Sequence, residues 1–359
     1  MDNHTFWKDK PVGTGKDNSP ISINILAHLK THNLSKEYTI TSIETESDLE
    51  EVIILLSNHY ISTLNNDINL IYPKKFIKWY IFNQNEGKND CVVVKFEENV
   101  VGFVHGKSLL VRVNGKLVNA LGINFLCVHR EHRKKNLANV LIDEITKRGL
   151  VKGMNVGIFT GSKELPFKFG EARIFHRPIN LSKLIDINYL PKRIYFNNPS
   201  YFDLRPKKRF GIRRMKKEDL PLIHELIKNI KPISEVFTIN QLEDIFFSDN
   251  KIQSFVYENR SVTEFFSFYE INTLYKNGTT IKTAFLYYWF SKEAKFMKED
   301  CVLVCKELGY DLLNALSIGD NYLFLSGNGF LPGTGKINYY FYNFKCNYEK
   351  SSGINFIMF

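Results

Sequence analysis

An internal repeat constrains the fold of this chain more than any other feature. Ile212, followed by Glu218-Asp219-Leu220 and a helical pattern reaching Ile230, echoes Ile43, followed by Ser47-Asp48-Leu49 and a helical pattern reaching Tyr60. Residues 255–258 and 265–269 likewise echo residues 92–96 and 101–105, at an offset of about 165 to 171 residues. A helix-then-hairpin unit that recurs at this spacing predicts two similar halves joined near residues 205–211. The 359 residues suffice for two domains of ordinary size, or one large double one with a deep cleft.

In the first half, residues 91–96 and 100–105 are β-rich runs separated by Glu97-Glu98-Asn99, a hairpin signal. Asn114-Gly115 predicts a second hairpin between short strands at 109–113 and 117–121. A further apolar run, 123–128, breaks into the basic stretch 129–136. Beyond it, Leu137, Val140, Leu141, Ile145 and Leu150 recur at helical spacing, and 156–159 reads as the next strand. The expected order is antiparallel strands, a central strand, a basic loop and an amphipathic helix, an α/β arrangement.

Composition narrows the class. With 44% hydrophobic and 24% charged residues the chain is a folded protein rather than a disordered one. Its apolar runs, such as 52–56 and 356–359, fall well short of the roughly 18 to 20 residues that cross a bilayer. Met1-Asp2-Asn3-His4-Thr5 lacks the basic start and apolar stretch of a secretory signal, so a cytosolic protein without stable membrane insertion is expected. Cys91, Cys127, Cys301, Cys305 and Cys346 read as free thiols. Cys301 and Cys305 lie one helical turn apart but have no further ligand candidates nearby, so no metal site is expected.

The net charge of +10 concentrates in two clusters. One, Arg205, Lys207, Lys208, Arg209, Arg213, Arg214, Lys216 and Lys217, falls where the halves join and reads as a solvated linker in preference to a nucleic-acid surface. The other, Arg130, Arg133, Lys134 and Lys135, lies where a strand runs into a helix N-terminus. Unpaired backbone N–H groups and the positive end of the helix point the same way there, which suits the pyrophosphate of coenzyme A. Two glycine-rich stretches fail as phosphate loops. Gly335-Lys336 is followed by Ile337 and Phe330 stands where a glycine is needed, and Gly13 with Gly15-Lys16 fails in the same way. Spacing alone therefore suggests an acyl-CoA transferase.

Several octamers in the right order carry a more specific resemblance. Phe6-Trp7 with Pro11-Val12, Ile123-Asn124-Phe125-Leu126-Cys127-Val128-His129, residues 141–148, Arg173 with Phe175-His176-Arg177, residues 265–269 and residues 339–346 together resemble the glycylpeptide N-tetradecanoyltransferase (N-myristoyltransferase) family over nearly the whole chain. The resemblance implies an α/β (α+β) fold of two tandem acetyltransferase-like halves with pseudo-twofold symmetry, mixed sheets flanked by helices. Residues 1–205 would form the acyl-CoA-binding half, and 206–359 the peptide-binding half that ends in a catalytic carboxylate.

The activity implied is direct transfer of a tetradecanoyl group from its CoA thioester to the amine of an N-terminal glycine, without an acyl-enzyme. Cys127 is then an apolar wall residue, not a nucleophile. By similarity the backbone N–H groups of Phe125 and Leu126 form the oxyanion hole, and the α-carboxylate of Phe359 is the general base. That carboxylate is intrinsically weak, with a pKa of about 3.5, so it needs burial, for which Ile354, Phe356, Ile357, Met358 and Phe359 are suited.

For the acyl-CoA, the resemblance assigns Thr5, Phe6 and Trp7 to the nucleotide and thioester region and Phe125, Leu126, Cys127 and Val128 to the pantetheine. It assigns Arg133, Lys134, Lys135, Asn136, Leu137 and Ala138 to the phosphates. There the chain departs from the family, with Asn136 in place of an arginine and Lys134 in place of a small hydroxyl residue. For the acceptor, Asn124 and Thr160 match residues near the glycine amine, and His176 matches one that receives a peptide serine. Tyr60, Tyr72 and Tyr269 match walls of the peptide groove.

The peptide end departs most. Thr63, Leu64 and Asn65 stand in place of an acidic run, Gly333-Thr334-Gly335 in place of Gly-Asp-Gly, and Gly122 in place of an acidic residue, while Asp67 keeps its charge. A weaker demand for lysine in the acceptor is expected. Myristoyl-CoA is the co-substrate, glycine-terminal peptides of client proteins are the partners, and no metal or redox cofactor is implied. A monomer is expected, with ribosome proximity compatible with its charge and nucleic acid disfavoured. Another CoA-dependent N-acyltransferase and a non-catalytic binding protein remain as alternatives.

Overall fold

The computed structural model describes residues 7–8, 10–60, 68–82, 90–228, 231–248, 251–275, 277–325, 327 and 329–358. Strands Cys91–Phe96 and Asn99–Val113 form the first hairpin, and Asn114-Gly115, both at positive φ, turns the chain into Lys116–Val128. Helix Leu137–Val151 then crosses to strand Val156–Gly161, which lies parallel to Lys116–Val128. The second half repeats this order: hairpin Ile252–Asn259 with Ser261–Glu270, strand Thr283–Phe290, helix Ala294–Glu307, and the parallel strand Leu312–Leu316.

The repeat extends to the helix that opens each unit. Asp48 accepts the backbone N–H groups of Glu44 and Thr45 ahead of helix Glu46–His59, and Asp219 accepts that of Lys216 just ahead of helix Leu220–Ile227. The halves then exchange their last strands. Lys168–Pro178 pairs with Leu312–Leu316, Leu331–Tyr342 pairs with Val156–Gly161, and the two exchanged strands pair with each other at the centre. One mixed sheet thus runs through both halves, flanked by helices.

Two expected pairs of short strands are single long ones. Asn99–Val113 continues through Gly106, and Lys116–Val128 continues through Gly122. Glycine weakens a strand on its own account, but here it admits close approach. A Cβ at Gly106 would lie 3.0 Å from both Ile145 and Leu121, and one at Gly122 would lie 2.5 Å from Leu109.

Five of the eight basic residues in the linker cluster pair with neighbouring carboxylates. Arg205 pairs with Glu299 and Asp300, Arg209 with Asp300 and Glu264, Arg213 with Asp219 and Glu258, Lys208 with Glu307, and Lys217 with Glu243. Charges spent this way are poorly available to a phosphate backbone. All five cysteines are free and buried, and among the described residues no cluster of metal-ligating side chains occurs. No described helix is long and apolar enough to cross a membrane.

The C-terminal segment is drawn inside. Ile354–Asn355 pairs parallel with Ile233–Ser234, a strand that itself pairs with Asn99–Val113, and Phe356, Ile357 and Met358 are buried in the main core. Phe359 lies outside the described residues.

Candidate active site

The site begins where two parallel strands part. Lys116–Val128 and Val156–Gly161 pair only from Ala120 with Val156 to Ile123 with Phe159. Beyond that point Thr160 pairs with Tyr339, while Asn124 stays with His105. At the fork, Phe103 pairs with Cys127 and His105 with Asn124, so Phe125 and Leu126 both face the single residue Val104. This is a β-bulge. Phe125 sits at φ +57°, a left-handed conformation that costs a non-glycine residue about 1–3 kcal/mol.

Packing holds that strain in place. Phe125 is fully buried, with its ring 5.7 Å from Tyr60, 5.8 Å from Tyr72 and 5.5 Å from Tyr80 in edge-on contacts. Its amide turns toward the Tyr60 hydroxyl instead of completing a regular ladder. Burial, and then the neighbouring Cys127, push that phenol up to about 12. An N–H aimed out of the sheet in a dry site is a ready donor for an oxygen that gains charge.

Trp7, Tyr60, Leu121, Ile123, Phe125, Leu126, Ile142, Ile145, Phe159 and Thr160 are among the residues lining a cavity of about 190 Å³ at the fork. Its wall is mostly apolar, as a hydrocarbon ligand requires. Trp7 is stacked on Phe159 at 4.9 Å and meets Phe167 edge-on at 5.5 Å, which fixes the incoming chain at one rim. Thr5 and Phe6 lie outside the described residues.

Cys127 lies on the same strand, its thiol 3.8 Å from the Leu55 carbonyl. Burial pushes that thiol up to about 12, so it is protonated, in keeping with a wall residue.

The strand's end leads directly into the basic loop. Lys134 and Asn136 are both at positive φ, +63° and +65°, and Asn136 precedes helix Leu137–Val151 without capping its backbone, its Oδ1 instead accepting from the Asn139 side chain at 2.6 Å. The alternation forms a concave nest of backbone N–H groups at a positive helix end. Lys134, Lys135 and Asn136 are exposed around it, Ala138 is half-buried and Leu137 anchors the turn in the core.

Arg133 is placed differently from its neighbours. Its guanidinium donates to the carbonyls of Val128 at 3.1 Å and His59 at 2.8 Å, tying the strand end to the last residue of helix Glu46–His59.

On the opposite face of the strand Asn124 is buried. Its Nδ2 donates to the Gly122 carbonyl at 3.2 Å, and its Oδ1 has no hydrogen-bond partner among the described residues. A buried acceptor left open beside a strained bulge is suited to a ligand N–H.

Tyr269 reaches this region through aromatic contacts, stacking on Phe76, which stacks on Tyr80. His176 lies apart, in the exchanged strand Lys168–Pro178. Its Nδ1 is 2.7 Å from Asn314 Oδ1, so the ring donates there and leaves Nε2 as an acceptor. Burial lowers its pKa, which keeps it neutral. Gly333 lies against that nitrogen, where a Cβ would come within 2.4 Å.

Comparison with known proteins decides the family. The family model for the N-terminal domain of myristoyl-CoA:protein N-myristoyltransferase matches residues 26–172, and that for the C-terminal domain matches residues 200–355. The chain belongs to the N-myristoyltransferase family. It is 30% identical to glycylpeptide N-tetradecanoyltransferase 1 of Arabidopsis thaliana over 95% of this chain and 86% of that one. It is 27% identical to the Schizosaccharomyces pombe enzyme over 98% and 89% of the two chains.

The crystal structure of Saccharomyces cerevisiae N-myristoyltransferase with bound myristoyl-CoA superposes with a TM-score of 0.89 at 26% identity, covering 100% of both chains. A GCN5-related N-acetyltransferase from Anabaena variabilis, 10% identical and covering 85% of this chain and 72% of its own, shares the fold at a TM-score of 0.50. The acetyltransferase-like architecture expected from the sequence is therefore that of the N-myristoyltransferase family.

One tie in this family member escaped the sequence reading. Asp143, buried in the cavity-lining helix, takes Lys10 Nζ at 2.5 Å, His32 Nε2 at 2.8 Å and the Lys30 backbone N–H at 3.3 Å. It fastens the N-terminal segment across the helix that carries Ile142, Ile145 and Thr146. Its signal in the sequence is a carboxylate set among the apolar Val140, Leu141, Ile142 and Ile145.

Proposed function

We propose that this chain transfers the tetradecanoyl group of myristoyl-CoA to the N-terminal glycine of acceptor proteins. In this reading residues 1–205 supply the acyl-CoA site and 206–359 complete the peptide groove. What carries it is the strained Phe125 bulge at the mouth of an apolar cavity between splayed parallel strands. The acyl chain occupies the cavity, and the pantetheine follows the strand edge at Phe125, Leu126, Cys127 and Val128. The phosphates meet the nest at residues 133–138, where Lys134 and Lys135 supply mobile charge and Arg133 a fixed one.

The thioester oxygen takes the N–H groups of Phe125 and Leu126, displacing the Tyr60 hydroxyl. The glycine enters as ammonium beside Asn124 Oδ1 and Thr160 and gives a proton to the α-carboxylate of Phe359. The freed amine attacks the thioester carbon, the C–S bond breaks, and the amide nitrogen's second proton leaves as CoA departs as its thiol. Support for this base lies in the burial of Phe356, Ile357 and Met358 in the same core as Phe125, Tyr72 and Tyr80. Tyr60, Tyr72 and Tyr269 wall the acceptor, and His176 Nε2 accepts a hydroxyl farther along it.

Titration with myristoyl-CoA and acetyl-CoA tests the acyl site. Each buried methylene is worth about 0.8 kcal/mol, so the long chain should bind tighter by on the order of a thousandfold or more. Equal affinities would favour a small-acyl transferase, and failure to acylate a glycine-terminal peptide would overturn the reading.

A further inference from the structure

The peptide unit joining Phe356 to Ile357 is held from both sides by tyrosines. Tyr339, at the buried centre of Leu331–Tyr342, donates its hydroxyl to the Phe356 carbonyl at 3.1 Å. The Ile357 N–H lies on the Tyr288 hydroxyl side of the same peptide unit. Tyr288 in turn donates its own proton to Glu235 Oε2 at 3.1 Å, and Glu235 Oε1 lies 3.2 Å from Lys107 Nζ. A carboxylate can only accept, so the direction of this chain is fixed and leaves Tyr288 a lone pair for the amide. Tyr288, Tyr339 and Lys107 are buried, and the Glu235 side chain is 5% exposed.

Two features make this more than packing. The C-terminal strand spans only Ile354–Asn355, so the next peptide's polar groups, buried with their residues, must be satisfied by side chains. In addition, a desolvated Lys–Glu pair is a poor source of net stability compared with apolar packing. Here the pair anchors the hydroxyl that grips the tail. Lys107 also pairs in register with Gly122, two residues before Asn124. The anchor therefore springs from the strand pair that carries the bulge.

We infer that Tyr288 and Tyr339 are positioning residues that clamp the Phe356–Ile357 peptide plane, with Glu235 and Lys107 as the anchor of Tyr288, and so set the place of the chain's terminal carboxylate. The inference rests on the proposed role of that carboxylate as base.

The test compares Tyr288→Phe, Tyr339→Phe and their double variant with a wild-type chain extended by two glycines at its C-terminus. Each is assayed for kcat and KM with a glycine-terminal peptide, for myristoyl-CoA affinity by titration, and for thermal midpoint. Misplacing a reacting group by about 1 Å costs up to about a hundredfold, so each single variant should lose about ten- to a hundredfold in kcat while keeping its affinity for myristoyl-CoA. The extended chain should lose turnover and keep binding.

If the phenylalanine variants turn over normally while the extended chain does not, the clamp is overturned and the terminal base stands. Normal turnover by the extended chain overturns both. A fall in kcat that only tracks a loss of affinity and thermal midpoint reduces the tyrosines to structural packing and also overturns the clamp.

Discussion

The Ser267 hydroxyl accepts the Tyr288 backbone N–H at 3.1 Å and donates to the Tyr288 carbonyl at 2.7 Å. Ser267 faces both Tyr287 and Tyr288 at an irregularity in the pairing of Ser261–Glu270 with Thr283–Phe290. In the repeat, this is the counterpart of the Phe125-Leu126 bulge facing Val104. Serine closes the bulge of the second half with its own hydroxyl, whereas valine has no such group to offer the first. The two related bulges thus differ in whether the facing residue can bond the bulged backbone.

Replacing Ser267 with alanine should strand the buried Tyr288 N–H and cost about 1–3 kcal/mol of stability. Urea unfolding reads this directly. A variant with an unchanged midpoint would show that the hydroxyl does not hold the bulge.

Cys127→Ala separates direct attack from an acyl-enzyme route. The thiol, pushed up to about 12 by burial, is bonded to Leu55 and contributes packing. The variant should keep kcat near the wild-type value and trap no acyl group during turnover. Abolished turnover in a folded variant that still binds myristoyl-CoA would require a covalent step.

Asp143→Asn tests the N-terminal tie. Removing one partner of a buried ion pair costs about 3–5 kcal/mol, here spread over Lys10, His32 and the Lys30 amide. The loosened segment carries Trp7, so KM for myristoyl-CoA should rise while kcat at saturation is retained. The reverse pattern, lower kcat at unchanged KM, would refute this role.

Much of this architecture is legible in the sequence because the repeat and the Asn114-Gly115 turn are local signals with definite geometry. The order strand, basic loop and helix was readable for the same reason. The Phe125 bulge is not visible in residue types, since any side chain could stand there and only the missing rung opposite Val104 reveals it. Arg133 reads as a phosphate ligand, yet two backbone carbonyls claim its guanidinium, a long-range choice that sequence cannot display. The clamp is hidden for the same reason, as Lys107, Glu235, Tyr288, Tyr339 and the 356–357 peptide come from five separate segments. Thr63, Leu64, Asn65 and Asp67, on which the expectation for acceptor lysine partly rests, lie outside the described residues.

That expectation has a kinetic test. Gly122 carries no acidic side chain, and a Cβ there would meet the Leu109 side chain at 2.5 Å, so Leu109 would have to shift to admit one. Two acceptor peptides that differ only in lysine against alanine, several residues from the glycine, should differ in kcat/KM by less than about fivefold, the worth of one exposed ion pair. A hundredfold preference for lysine would mean that other carboxylates supply the missing charge.

Histidine chemistry beside the basic loop gives this chain an acid-sensitive stability. The His59 ring lies 4.1 Å from the His129 ring. Burial first, then the positive charges of His129, Arg130 and Arg133, lower its pKa to about 4, with Glu131 opposing. The unfolded chain binds this proton near pH 6.5 and the folded chain only near pH 4. Between these values the unfolded state holds more protons, so stability falls as pH drops through the window and is fully retained above it. His59 alone should account for on the order of 1–2 kcal/mol once its partial exposure is allowed for. Urea midpoints at pH 7 and pH 4.5 should therefore lie closer together in His59→Gln than in the wild-type chain. An equal separation in both proteins would assign the acid sensitivity to other groups.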